Sequence, residues 1–302
     1  MNSYYYSFRK YLEQRFGCRV RRISLNAGFS CPNRDGTLSS DGCIFCNEAG
    51  FSPNSATLLS LAEQIAQQQK QLKARGRAEK FIAYFQNASN THAAVAKLKQ
   101  AYDTIRLYPD IVGLMIATRP DCVDEQRLEL IAEYVQDYDV WIEYGLQSMH
   151  EQTLRQINRN HTFAQFVDAV QAAQQRGIKV VAHVILGLPG ETDTHMRQTA
   201  AALGDLGING VKLHVLHVVQ DTDLARMYAL GKVALLSEQE YICAACDFLE
   251  LLPKECVIMR LVSDARPDVL VAPLWINEKQ RVIQSIEKEF ARRGTRQGSK
   301  ST

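Results

Sequence analysis

The chain has no apolar run long enough to cross a bilayer, which takes about 20 residues, and its opening, MNSYYYSFRK, lacks the apolar segment of a secretory signal. Both absences point to the cytoplasm, and a membrane is not an expected partner. In that reducing compartment the eight cysteines are expected as metal ligands or core thiols, not as disulfides. Net charge is nearly absent too, at +2. No strand-like run is followed by the glycine loop of a dinucleotide-binding fold. Apolar residues are not scarce: at 46% they can bury a core. A length of 302 residues suits two average domains, or one α/β barrel with an extension.

What is present begins with the stretch CPNRDGTLSSDGCIFC, from Cys31 to Cys46. Cys43 and Cys46 form a C-x-x-C pair, and Cys31 stands before them. Pro32, Asn33, Asp35, Gly36, Ser39, Ser40, Asp41 and Gly42 forbid a regular helix or strand across the gap. The segment is therefore a loop whose order comes from what its thiolates bind. A structural zinc needs a fourth ligand, and Cys18 is the nearest thiol. Three thiolates alone leave one metal position open and suit an iron–sulfur cluster. Inert thiols complete the alternatives.

Strand-like runs at 20–26, 80–86, 111–118, 140–147, 178–186 and 210–219 alternate with helical periodicity. The intervening helices include one carrying Leu58, Leu59, Leu61, Ile65 and Leu72, and others near 95–105, 124–135, 150–157 and 163–176. Six βα units predict an α/β fold, a partial (β/α)6 TIM-like barrel, with a doubly wound sheet as the alternative. Residues 1–235 form this core, with the cysteine loop at 28–52. Residues 236–302 form a C-terminal α+β extension: a helix capped by Ser237 and Glu240, a short strand at 256–262, and a helix capped by Asn277 and Gln280. ARRGTRQGSKST reads as a loose tail. Cys243 and Cys246 make a second C-x-x-C, but inside a helix, with Cys246 on the stripe of Ile242 and Leu249. They read as core thiols. Both ends are basic. Arg15, Arg19, Arg21 and Arg22, with Arg292, Arg293 and Arg296, suit contact with a polyanion such as RNA.

These motifs, taken in order, resemble the radical S-adenosylmethionine (SAM) superfamily. The cysteine loop, with Phe45 before its last cysteine, is similar to the expanded loop of the Elongator catalytic subunit and its relatives, which act on wobble uridine in tRNA. GLQS at 145–148, Arg159, and HT at 161–162 are similar to those relatives and to oxygen-independent coproporphyrinogen oxidases. HVILGLPGET (183–192) and VKLHVLHVVQDTDL (211–224) match the same group. RLVSDARPDVLVAPLWINEKQ resembles one bacterial subfamily within it.

The resemblance implies that Cys31, Cys43 and Cys46 hold a [4Fe–4S] cluster whose free iron chelates SAM. Reductive cleavage of SAM then yields a 5′-deoxyadenosyl radical, with an electron donor such as flavodoxin or ferredoxin. Gln147, Arg159 and His183 fall where relatives contact SAM, and Thr118 is a further candidate on the third strand. The family's glycine-rich motif is replaced by Gln86-Asn87-Ala88-Ser89-Asn90-Thr91, so Gln86, Ala88 and Ser89 are expected near the methionine amino group. Strand parity adds a polar lumen: Glu143 and Gln147, Lys212 and His214, His183, and Tyr84 with Gln86 all oppose apolar neighbours. Glu143, Lys212 and His214 are the expected substrate or proton-handling residues. The leading expectation is modification of a tRNA base. The alternatives are a radical SAM oxidoreductase acting on a small molecule such as a tetrapyrrole, and a zinc-stabilised RNA-binding protein without catalysis.

Overall fold

Apolar strands of similar length, each followed by an amphipathic helix, pair edge to edge in chain order. The structure, a computed structural model, describes residues 4–47 and 59–301. Seven strands form one parallel sheet: β1 (Val20–Leu25), β2 (Lys80–Phe85), β3 (Ile111–Thr118), β4 (Asp139–Gln147), β5 (Lys179–Leu186), β6 (Gly210–Val215) and β8 (Val257–Arg260). Between the last two, β7 (Val218–Val219) pairs antiparallel with β9 (Leu270–Ala272) as a separate ribbon. The large sheet curls into a partial barrel whose two edges are β1 and β8. Among the described residues no helix is long and apolar enough to cross a membrane.

Ten α-helices are described: α1 (Phe8–Phe16), α2 (Leu61–Ala74), α3 (Val95–Asp103), α4 (Glu125–Ala132), α5 (Glu151–Gln156), α6 (Phe163–Gln175), α7 (Asp193–Asp205), α8 (Asp223–Ala229), α9 (Glu238–Leu251) and α10 (Lys279–Arg293). Capping boxes start four of them, at Ser60–Glu63, Thr162–Gln165, Thr192–His195 and Ser237–Glu240. The outer strand faces bury Ile142, Tyr144, Leu146, Val180, Ala182 and Leu213 against helical residues such as Phe166 and Val170. The opposite parity therefore faces the lumen.

Four features differ from the sequence reading. The strand expected in the extension is β8, and it pairs parallel to β6 with Lys212 beside Arg260, giving the barrel a seventh strand. The run at 210–219 leaves the sheet after Val215, whose N–H donates to Ser263 Oγ at 3.2 Å. Asn277 does not cap α10; Glu278 holds that place, and Asn277 Oδ1 accepts from the Ala265 N–H. Nor is the tail loose. Gln297 is buried, donates to the carbonyls of Pro253 and Cys256 at 2.7 Å each, and accepts from the Tyr6 N–H at 2.8 Å. Of the expected residues, Leu58 and 48–52 lie outside the described ones.

Helix α1 was not read from the sequence, although Phe8, Tyr11, Leu12 and Phe16 step by three and four. Ser7 caps it. Phe8 and Leu12 pack against Val20, Ile82, Met115, Trp141, Val181 and Val257, an apolar layer that floors the lumen. Tyr11 OH fixes the helix to Asp139 Oδ1 at 2.8 Å, and Asp139 also accepts from the Trp141 indole. The floor is packed; the chemistry lies above it.

Candidate active site

The cysteine loop leaves the C-terminal end of β1 and folds on itself without regular structure. The Cys31 carbonyl accepts from Arg34 and Asp35 N–H, and Cys46 N–H donates to the Cys43 carbonyl at 2.9 Å. Asn33, fully buried, donates through Nδ2 to the Asn158 carbonyl at 2.8 Å and reaches Cys43 Sγ at 3.5 Å. Asn160 donates to Asn33 Oδ1 at 2.6 Å, and Asn158 donates to the Gly42 carbonyl. Both asparagines have positive φ, 54°, which asparagine tolerates better than most side chains. They flank Arg159, so the Asn-Arg-Asn run latches the loop and aims the arginine. Sequence reasoning singled out only the Arg. Two asparagines after a short helix were the available signal.

Cations surround the thiols. Arg34 Nη1 lies 3.3 Å from Cys46 Sγ, and Arg159 Nη1 lies 3.6 Å from Cys43 Sγ. Burial, then Cys43, pushes the Cys46 thiol up to about 11 despite Arg34, so iron must displace a proton there. The Nε and Nη2 edge of Arg159 is held by the Gly145 carbonyl, at 3.2 and 2.7 Å. Its Nη1 is left toward the cysteines. Arg119, another residue the sequence reading missed, chelates Asp121 at 2.8 and 2.7 Å and donates to the Arg159 carbonyl. A Cβ at Gly145 would stand 2.4 Å from Arg159 Nη2, so a side chain there would push the guanidinium from its place. Burial, then Arg159 and Arg119, pulls His161 down to about 3.

Cys18 does not join the loop. It precedes β1, at the far end of a strand that spans about 20 Å, and it lies beside the floor cluster. The zinc reading that recruits it therefore fails. Among the described residues no three of His, Cys, Asp and Glu close on a single ion. Cys122, just after β3, lies within electrostatic reach of Cys31; burial, then Asp121, pushes its thiol up to about 12. Three thiols on one loop, with cationic and amide donors turned toward their sulfurs, fit a [4Fe–4S] cluster.

One cavity of about 420 Å³ is lined by all the cluster, SAM and substrate residues expected from the sequence: Cys31, Cys43 and Cys46; Phe45, Gln86, Ala88, Ser89, Thr118, Gln147, Arg159 and His183; and Glu143, Lys212 and His214. Ala88 and Gln147 have positive φ, 56° and 74°, and a register shift at Gly145/Gln147 turns the end of β4. The Thr118 hydroxyl is engaged by Thr91 at 2.6 Å.

Below the loop, four strands meet through polar side chains. Glu143 Oε2 accepts from Tyr84 OH at 2.6 Å, from His183 Nε2 at 2.9 Å and from Lys212 Nζ. Lys212 also donates to Tyr84 OH at 2.7 Å. Burial alone would push the Glu143 carboxyl up, but Lys212, then His183, hold it well below the usual range. Burial pulls the Lys212 amine down to about 7; Glu143 opposes that, and Arg22 and Arg260 add to it. His183 falls to about 4, by burial and then Lys212. This is a lysine poised between its two forms at neutral pH.

At the termini, Arg293 is tied to Glu289 and Asp247, and both Arg292 nitrogens bond Glu289 at 2.8 Å. The freer basic surface lies instead at the open barrel edge. There Arg9, Arg19, Arg21, Arg22, Arg75, Arg77 and Arg260, with Glu13, line a groove of about 570 Å³.

The sequence profile of the Radical SAM superfamily matches residues 31–203, and that of the Radical SAM C-terminal domain matches 208–292. The chain is 39% identical to the protein YhcC of Escherichia coli over 95% of its own length and 92% of that protein. It is 26% identical to the tRNA uridine(34) acetyltransferase of Methanocaldococcus infernus, over 61% of this chain and 34% of that one. The structure of the Elp3 protein of Methanocaldococcus infernus superposes with a TM-score of 0.69 at 18% identity, covering 92% of this chain and 64% of that one. The superfamily's cofactors, a [4Fe–4S] cluster and SAM, are those of this chain. Its cysteine loop, its barrel and both profiles agree, and the chain belongs to the radical SAM superfamily.

Proposed function

We propose that this protein is a SAM-cleaving enzyme that modifies a tRNA base, with a wobble uridine as the substrate class. The observation that carries the reading is the polar chamber directly below the cysteine loop. An ordinary barrel packs apolar layers there; this one keeps Tyr84, Glu143, His183 and Lys212 around a cavity of about 420 Å³, room for a small extruded group such as a base. The similarity to a tRNA uridine(34) acetyltransferase and the arginine-lined groove at the barrel edge support RNA over a small molecule.

Cys31, Cys43 and Cys46 would hold a [4Fe–4S] cluster, which together with SAM would supply radical chemistry to the chamber, with an electron donor such as flavodoxin or ferredoxin as the source of reducing power. This chain's residues do the rest. Arg34 and Asn33 steady the thiolates. Arg159, Gln147 and His183, with the backbone at Gln86, Ala88 and Ser89, orient SAM, and Thr118 shapes that wall with Thr91. Phe45 closes the mouth against water. Lys212 holds or releases a proton at Nζ, and Glu143 and Tyr84 fix where that proton sits; His214 lines the same wall.

The test is nucleoside mass spectrometry of bulk tRNA from cells with and without the gene. One modified uridine should change, and a Cys43→Ala copy should fail to restore it. An unchanged nucleoside profile overturns the tRNA reading.

A further inference from the structure

Among the buried polar atoms with no hydrogen-bond partner are Arg22 Nη1, Glu143 Oε1 and His214 Nε2, with Arg119 Nη1 nearer the cysteine loop. Glu143 and His214, from β4 and β6, line the cavity together with Lys212 and Arg260, and Arg22, from β1, stands behind its wall at Tyr84. The Arg22 guanidinium lies 5.3 Å from the Phe8 ring centre and 5.6 Å from that of Tyr84. Arg260, on β8 in register with Lys212, has Asp264 as its ion-pair partner, at 3.7 Å, beyond hydrogen-bond reach, while Asp264 is taken by Lys279. So the buried Lys212 and the half-buried Arg22 and Arg260 stand around one buried carboxylate, Glu143, which bonds Lys212 and whose second oxygen is bare. A chamber of this kind is under-supplied with negative charge, and it lacks one donor.

We propose that the chamber binds a carboxylate carried by the substrate, clasped by Arg22, Arg260 and Lys212, while an adjacent N–H or O–H of the same substituent donates to Glu143 Oε1. The carboxylate of SAM is not this anion. Arg22 lies three residues before the end of β1, about 10 Å below the mouth where the cysteines sit. A phosphate brings more charge and no donor, and it would face the bare Glu143 oxygen. Arg22 and Arg260 also line the groove at the barrel edge. The inference rests on the chamber being the substrate site, and it narrows the substrate to one bearing a short acidic substituent.

Two measurements test it. Crystals of the anaerobically loaded holoenzyme are soaked in bromide and read by anomalous scattering. Bromide is expected between Arg22 and Arg260, and is expected to vanish in both R260Q and R22Q; a chamber without bromide overturns the proposal. Cells lacking the gene are then analysed for accumulating tRNA nucleosides and acid-soluble metabolites. A carboxylated uridine that accumulates supports both readings. Accumulation of a neutral nucleoside overturns the acidic-group proposal and leaves the tRNA reading standing. An unchanged tRNA profile with a carboxylated metabolite accumulating removes the tRNA reading and supports the acidic site. Accumulation of only uncharged or phosphorylated metabolites overturns it.

Discussion

The chain carries two C-x-x-C motifs, and the structure places them in different surroundings. Cys43 and Cys46 sit on a loop where Arg34, Arg159 and Asn33 reach their sulfurs. Cys243 and Cys246 sit on α9. Cys246 is fully buried with its thiol toward the Ile286 carbonyl at 3.7 Å, and Cys243 faces Gln239 and Glu289. Beside the second pair Arg293 donates to the Cys243 carbonyl, not to a sulfur, and is itself held by Glu289 and Asp247; burial raises the Cys246 thiol to about 12 although Arg293 opposes it. A metal-binding pair is thus distinguished by what points at its sulfurs, not by its spacing.

The largest expected effect breaks the comparison outright. Cys31→Ala, Cys43→Ala or Cys46→Ala should each abolish iron retention after anaerobic reconstitution, measured as iron and sulfide per chain. Cys246→Ala should keep full iron content and cost about 1 kcal/mol in denaturant unfolding. Adding Cys122→Ala to Cys31→Ala shows whether the neighbouring thiol is recruited; equal iron loss excludes it.

An intermediate effect concerns the cation beside Cys43. Arg159→Lys loses the paired contact to the Gly145 carbonyl and cannot span it and the cluster side together. SAM affinity by calorimetry should drop about tenfold, on the order of 1.4 kcal/mol, with iron content unchanged. Equal affinity would leave Arg159 as a loop latch alone.

How much of this was legible in the sequence follows from the range of the forces involved. The strands showed because a buried outer face forces apolar residues at alternate positions; the same alternation exposed Glu143, Lys212 and His183 as intruders. The cysteine loop showed through its turn formers. Other features were set by distant parts of the chain. β8 reads as any short apolar strand until it meets β6. Arg22 and Arg260 look like unremarkable charges 238 positions apart until the sheet curls and brings both to the groove at its open edge. Gln297 carries no local sign of burial, since its partners are backbone groups near residues 6, 253 and 256.

The smallest effect lies in that chamber. The Lys212 amine, held near 7, faces Glu143, Tyr84, His183, His214, Arg22 and Arg260. Glu143 is ionised and both histidines are neutral between pH 6 and 8, so Lys212 alone changes charge in that window. Below about 7 it adds a cation, so anion affinity should weaken a few-fold, under 1.4 kcal/mol, as pH rises from 6 to 8. Bromide occupancy at the two pH values measures it. Lys212→Met should flatten the dependence.

The pinning of Gln297 has a temporal consequence. Its side chain accepts the Tyr6 N–H and its own N–H donates to the Tyr4 carbonyl, so a residue made late clamps residues made nearly 300 positions earlier. While α10 is still being made, the segment before α1 lacks this anchor, and the helix that floors the lumen is held only by its own packing. Iron–sulfur delivery during synthesis would therefore meet a barrel whose floor is not yet locked, and docking of the segment after α10 is what seals it.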